Sequence, residues 1–169
     1  MIGPSAYRIL PATSAHVREI AAFLIPTMAK LYPPGAFNPE PDDLKRFEDV
    51  YVKPLDACFY IAADDRGTIV GTAAARNYDR RFPFVNAFLE PHGVCEVTKV
   101  YIDDRLRRQG IGAALYRAVE SFIREAGYES SYLHTSTDLP GGFPFWLSRG
   151  YVARYQETES IVHMSKQLR

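Results

Sequence analysis

The spacing of apolar residues changes period several times along this chain, and each change predicts an element. Residues 6–10, AYRIL, make a short strand candidate. Thr13 or Ser14 then caps a helix whose apolar positions Val17, Ile20, Ala21, Leu24, Met28 and Leu31 recur at helical spacing. Pro26 stands inside that pattern and predicts a kink or a split, because it lacks the N–H that the helix interior needs. YPPGAFNPEPDD, rich in Pro and Gly, predicts a loop that forms a flap. It leads into a second helix over about 41–51 with Leu44, Phe47 and Val50 on one side.

A hairpin follows, CFYIAA and TIVGTAAARNY around the turn DDRG. DRRFPFVNAFLEPHG separates it from VCEVTKVYI, a strand of mixed alternation. Ile111, Leu115, Ala118, Val119, Phe122 and Ala126 then mark an amphipathic helix, and Gly127 is placed to end it. SSYLHTS reads as a strand, GGFPFWLSRG as a short helix with Pro144 in its first turn, and YVARYQ with ESIVHMSK as a closing hairpin. The order β-α-α-β-β-β-α-β-α-β-β predicts an α/β fold of the α+β mixed-sheet kind, with helices packed on the sheet. No internal repeat or low-complexity segment interrupts it.

Composition narrows the class. A chain of 169 residues is expected to form one domain, 1–169, large enough to bury a core without staples. Twenty basic residues balance twenty acidic ones, so net charge gives no pull toward nucleic acid or an anionic membrane. No apolar run approaches the ~20 residues that span a bilayer. The opening MIGPSAYRILPATSA lacks a basic head followed by an apolar stretch, so no secretion signal is expected. Cys58 and Cys95 sit in strand-like segments without metal-ligand spacing. They are expected to be buried free thiols of a cytoplasmic protein, with no metal site.

The local chemistry concentrates at one turn. Arg107-Arg108-Gln109-Gly110-Ile111-Gly112 lies where the VCEVTKVYI strand gives way to the amphipathic helix. Glycine has no Cβ, so a bulky anion can reach the main chain there. The first N–H groups of the helix have no internal partners and carry the positive end of its dipole, which suits a phosphate or pyrophosphate. Arg105, Arg107 and Arg108 add charged donors nearby. The dinucleotide fingerprint fails because position 115 is Leu rather than a third glycine. The Walker pattern fails because no Gly-Lys-Ser/Thr follows.

With that turn and element order, the sequence resembles the GNAT superfamily of N-acetyltransferases, whose acetyl-CoA motif is Arg/Gln-x-x-Gly-x-Gly/Ala after the fourth strand. The resemblance implies a GNAT-like fold: a central, mostly antiparallel sheet of about seven strands, splayed between the fourth and fifth, with about four helices. It implies that main-chain N–H groups of Arg107, Arg108, Gln109, Gly110, Ile111, Gly112 and Ala113 hold the CoA pyrophosphate. The backbone of Val100, Tyr101 and Ile102 would pair with the pantetheine arm, and the Val100 N–H could polarise the thioester carbonyl. Glu96 occupies the strand position of the family's glutamate base, eleven residues before Arg107. An alkylammonium must lose a proton before it attacks, so a carboxylate acting directly or through water fits the need. The alternative for Glu96 is a plain ion pair with Lys99 or an arginine.

Two departures stand out. Trp146 occupies the position where many members place a tyrosine that protonates the departing thiolate, and TDLPGGFPF replaces the asparagine often found at the start of that helix. Trp146 therefore reads better as a packing aromatic. A cysteine relay through Cys95 and His134 lacks an orienting group. His134 alone is a candidate substrate contact. Tyr32, Phe37, Tyr78, Phe82, Phe84 and Phe88 wall an acceptor pocket or pack a core. The function expected is transfer of the acetyl group of acetyl-CoA to a primary amine in a ternary complex, with a small-molecule acceptor. The alternatives are a silent acyl-CoA-binding sensor and an enzyme acting on protein N-termini or lysines. Closing-hairpin strands with open edges allow a homodimer.

Overall fold

The computed structural model describes residues 6–169, so part of the stretch read for a leader lies outside it. Seven strands form one sheet in the order β1-β2-β3-β4-β5-β7-β6. They are β1 (Tyr7–Pro11), β2 (Cys58–Asp64), β3 (Ile69–Asn77), β4 (Val94–Ile102), β5 (Ser130–Ser136), β6 (Val152–Gln156) and β7 (Ile161–Gln167). The α-helices are α1 (Val17–Leu31), α2 (Asp42–Lys45), α3 (Pro83–Asn86), α4 (Ile111–Glu125) and α5 (Gly142–Ser148). Both β2 with β3 and β6 with β7 pair antiparallel, as the two predicted hairpins require, whereas β4 and β5 run parallel.

Contacts divide the chain into two compact units. The first runs through Arg76 and adds Thr98–Ile123; the second comprises Asn77–Val97 and Arg124–Arg169. In the first, the predicted stripe of α1 supplies Ile20, Leu24 and Met28 to a core completed by Leu44, Phe47, Tyr51, Phe59, Ile61, Ile69 and Ala74. The rings of Phe47, Tyr51 and Phe59 meet at centroid distances of 5.0–5.5 Å, within the range where aromatic pairs attract beyond simple area burial. Tyr32 and Phe37, partly buried, pack against this core. In the second unit Tyr78, Val85, Val94 and Tyr132 form a core, and Phe82, Phe84, Phe88 and Leu89 pack on it.

Three local expectations change. Pro26 does not split the first helix: α1 continues through it as one element of fifteen residues. The helix predicted over 41–51 is instead the single turn α2 followed by a wider, π-helical turn at Glu48–Val52. Arg46 breaks the α geometry between them (φ −108°, ψ 35°), and the buried ring of Tyr51 is set by its hydroxyl contacts. The helix count also exceeds the expected four, because Pro83 opens a one-turn helix inside the segment before β4. Helix α4 agrees with its pattern, burying Ile111, Leu115, Val119 and Ile123, and Gly127 follows its end at φ +90°.

Candidate active site

The end of β4 in the first unit carries Val100, Tyr101 and Ile102, all half-buried. The chain leaves the strand through Asp103, whose N–H donates to the Val70 carbonyl at 2.8 Å. Asp103 caps the following turn by accepting from the Arg105 N–H at 3.0 Å. Its carboxylate also takes the Arg105 guanidinium at 3.1 and 2.7 Å, which holds its pKa down at about 2. Arg105 is thus engaged with Asp103 while its side chain stays largely exposed.

Arg108 and Gly110 both adopt the left-handed region, at φ 64° and 83°. Two such residues within three positions bend the backbone sharply ahead of α4, and Gly110 meets no heavy atom within 4 Å of where a Cβ would stand. The Ala114 N–H donates to the Gly110 carbonyl at 3.0 Å, closing the first turn. The N–H groups of Ile111, Gly112 and Ala113 precede that bond and have no helical carbonyl four residues back. Arg107, Arg108, Gln109, Gly110, Ile111, Gly112 and Ala113 are therefore gathered at one open helix start. Arg107 also lines a groove of about 910 Å³ with Phe23, Thr27 and Lys30 of α1 and Arg66 of the β2–β3 turn.

Lys99 marks where β4 leaves regular geometry. Its φ is +55°, unusual for a residue with a side chain. The conformation is held from two sides, since Thr72 Oγ1 donates to its carbonyl at 2.6 Å and its ammonium pairs with Asp43 at 2.9 Å. Asp43 in turn accepts from the Tyr51 hydroxyl at 2.6 Å. Burial opposes the Asp43 charge, but Lys99 and Tyr51 outweigh it and its pKa lies below the ordinary carboxylate value. Lys99 is thus committed to Asp43 and is not the partner of Glu96.

In the second unit, the ladder between β4 and β5 runs only from Val94↔Ser130 to Glu96↔Tyr132, while β5 continues alongside β7 to Ser136. This is the splay expected between the fourth and fifth strands. Glu96 sits at its apex with a side chain 1% exposed, and both its oxygens accept from Arg81, at 2.7 and 2.6 Å. Burial disfavours the Arg81 cation, yet the hydrogen bonds and charge of Glu96 raise its pKa above the ordinary guanidinium value. Asp79 adds a third contact to Arg81 at 2.9 Å, and the guanidinium lies 4.5 Å from the centre of the Phe82 ring. His134 Nδ1 approaches Glu96 Oε2 at 3.9 Å.

Beside it His163, almost fully buried, bonds to the Tyr132 hydroxyl at 2.6 Å and to Glu157 at 3.2 Å. Arg81 and His163 escaped the sequence reading. The Arg80-Arg81 doublet in the segment before β4 was the only local signal for the first. His163 gave none, because its partners come from β5 and the β6–β7 turn. Cys95 is fully buried and its thiol is pushed up to about 12 by burial, which leaves no thiolate for a relay. Cys58 is likewise buried and outside any disulfide. Trp146 is buried against Phe145 and Tyr151, with centroids 4.9 and 5.4 Å away. Among the described residues no helix is long and apolar enough to cross a membrane. None of their His, Cys, Asp and Glu side chains gather in a group of three or more that could hold a metal ion.

The fold aligns over 97% of this chain, with a TM-score of 0.80 and 17% identity, to the whole of a GNAT-family acetyltransferase from Staphylococcus aureus Mu50. It aligns at a TM-score of 0.70 and 14% identity, over 96% of this chain and 99% of the other, to the PaiA N-acetyltransferase of Thermoplasma acidophilum, solved with coenzyme A. The mixed sheet, with a glycine turn and helix at the end of its fourth strand, therefore shares the fold of these two structures. Residues 25–151 match the Acetyltransferase (GNAT) family, and the chain belongs to that family. Among curated proteins it is similar to the N-acetylaspartate synthetase of Rattus norvegicus, 29% identical over 109 residues, which is 64% of this chain and 32% of the relative. The match thus covers about a third of the length of that relative.

Proposed function

We propose that the protein transfers the acetyl group of acetyl-CoA to a primary amine by direct attack in a ternary complex. The open helix start at Arg107–Ala113 carries this reading. Its unpartnered amides, the left-handed bend at Arg108 and Gly110, and the dipole of a fifteen-residue helix suit a pyrophosphate. The β4 backbone at Val100, Tyr101 and Ile102 would take the pantetheine arm, with the Val100 N–H turned to the thioester oxygen. Glu96, on the same strand, supplies the carboxylate behind removal of the amine's proton, directly or through an intervening group. The family match runs across both compact units, which supports one catalytic domain over the chain.

A small acceptor is favoured by relatives named for N-acetylaspartate, itself a small N-acylated molecule. A reducing, cytoplasmic setting fits two buried thiols. The second reading, a silent acyl-CoA sensor, draws on the buried ion pair that occupies Glu96 and on Trp146 in the tyrosine position. Thiol release from acetyl-CoA across a panel of amines and amino acids separates the two. Amine-dependent release with an N-acetyl product supports the enzyme, and binding of CoA without turnover supports the sensor.

A further inference from the structure

Within the acetyltransferase reading, and resting on it, the group that meets the amine need not be the carboxylate. Glu96 is 1% exposed and gives one oxygen to each of two Arg81 nitrogens, so it presents no free edge to a substrate. His134, two residues beyond the last β4–β5 pair on the strand that diverges, keeps 41% of its side chain exposed. Its Nδ1 side faces Glu96 Oε2 at 3.9 Å. The edge of the Phe82 ring (5.7 Å between centroids) and the His163 ring (5.4 Å) flank the imidazole. A carboxylate behind one ring nitrogen leaves the other to accept a proton and steadies the imidazolium that results.

We infer that His134 is the proton acceptor for the incoming amine, with Glu96 as the buried carboxylate behind it and Arg81 as the clamp that holds Glu96 in place. The ammonium gives one proton to His134 Nε2, and the free amine nitrogen then forms its bond to the thioester carbon. As the adduct collapses the C–S bond breaks, the thiolate leaves, and the second nitrogen proton goes to it to give CoA thiol and amide. His134 returns its proton to solvent.

Charged and titratable groups face the ring from several elements. Glu96 stands on β4, Arg81 on the segment after β3 with Asp79 paired to it, His163 on β7, Glu157 before β7, and Tyr132 on His134's own strand. Burial first, then His163 and Arg81, lower the His134 pKa, and Glu96 and Glu157 oppose them. The balance leaves the ring neutral at neutral pH, the state an acceptor requires.

The test compares wild type with His134→Gln and His134→Ala in amine-dependent CoA release between pH 6 and 9.5. Turnover should fall by ~10²-fold or more at pH 7 in both variants, recover as pH approaches the amine's own pKa, and be restored in His134→Ala by added imidazole. CoA affinity, read by calorimetry, should stay within about twofold of wild type. An unchanged rate and pH profile in His134→Gln would overturn this assignment alone, whereas no turnover by wild type with any amine would overturn the acetyltransferase reading as well. Nitrogen NMR of the intact wild-type protein needs no variant: a neutral His134 ring at pH 7 is expected, and a ring protonated throughout pH 6–8 would rule it out as acceptor.

Discussion

Replacing Arg81 by Gln removes the partner of a carboxylate with 1% exposure. Taking one member from a fully buried pair costs roughly 3–5 kcal/mol, because the remaining charge stays desolvated. Arg81 is itself 34% exposed, so water partly replaces it and screening trims the loss. The expected destabilisation is about 2–3 kcal/mol, or roughly 5–10 °C in melting temperature for a chain of this size. The double variant Arg81→Gln/Glu96→Gln removes both charges and should recover at least ~1 kcal/mol relative to the sum of the single changes. Urea unfolding at pH 7 measures all four corners of the cycle. Arg81→Gln within ~0.5 kcal/mol of wild type, or an additive cycle, would refute the argument that this pair is buried and mutually dependent.

Other consequences follow from the same contacts. Gly110→Val should cost about 1–2 kcal/mol of stability through its positive φ and weaken CoA binding at least ~10-fold, because the branched side chain fills the approach to the amides. Equal affinity in calorimetry would contradict that approach. Gly71→Val should destabilise by about 1–3 kcal/mol. A Cβ there would already meet Ile102 Cδ1 and Leu115 Cδ1 at 3.0 Å and the Tyr101 carbonyl at 3.3 Å, and chemical denaturation reads the outcome. His134 and His163 both have pKa values lowered from 6.5, burial being the first cause in each. The unfolded chain therefore binds protons that the folded one refuses, so their stabilisation is complete above about pH 6.5 and is lost as pH falls through the folded values. Urea midpoints at pH 7.5 and 5.5 should fall toward acid and do so less in His163→Gln; a flat profile would contradict the burial argument.

Most of the architecture was legible because its elements are periodic. The stripes of α1 and α4, the DDRG turn and the closing hairpin each rest on local patterns, and each appears where those patterns place it. The glycine turn was legible for a similar reason, since Gly110 and Gly112 mark a backbone need that adjacent residues reveal. What escaped depends on contacts distant in sequence. The segment after Pro41 breaks its helix because Tyr51 is drawn to Asp43 and Thr98, forty-seven residues from the latter. Glu96 was expected to be the base, with an ion pair to Lys99 or an arginine as the alternative. Which side chain reaches it is decided only by the fold, which gives Lys99 to Asp43 and Arg81 to Glu96. The same holds for His163, whose partners are thirty-one residues before it and six residues before it.

The central claim is that the amides of one turn hold the diphosphate of acetyl-CoA. Amide chemical-shift mapping of the nitrogen-labelled protein during titration with CoA tests it most directly. The largest shifts should fall on Arg107–Ala113, with smaller ones along Val100–Ile102. Saturable binding that leaves those amides unmoved, or no binding by the folded protein, would contradict the account.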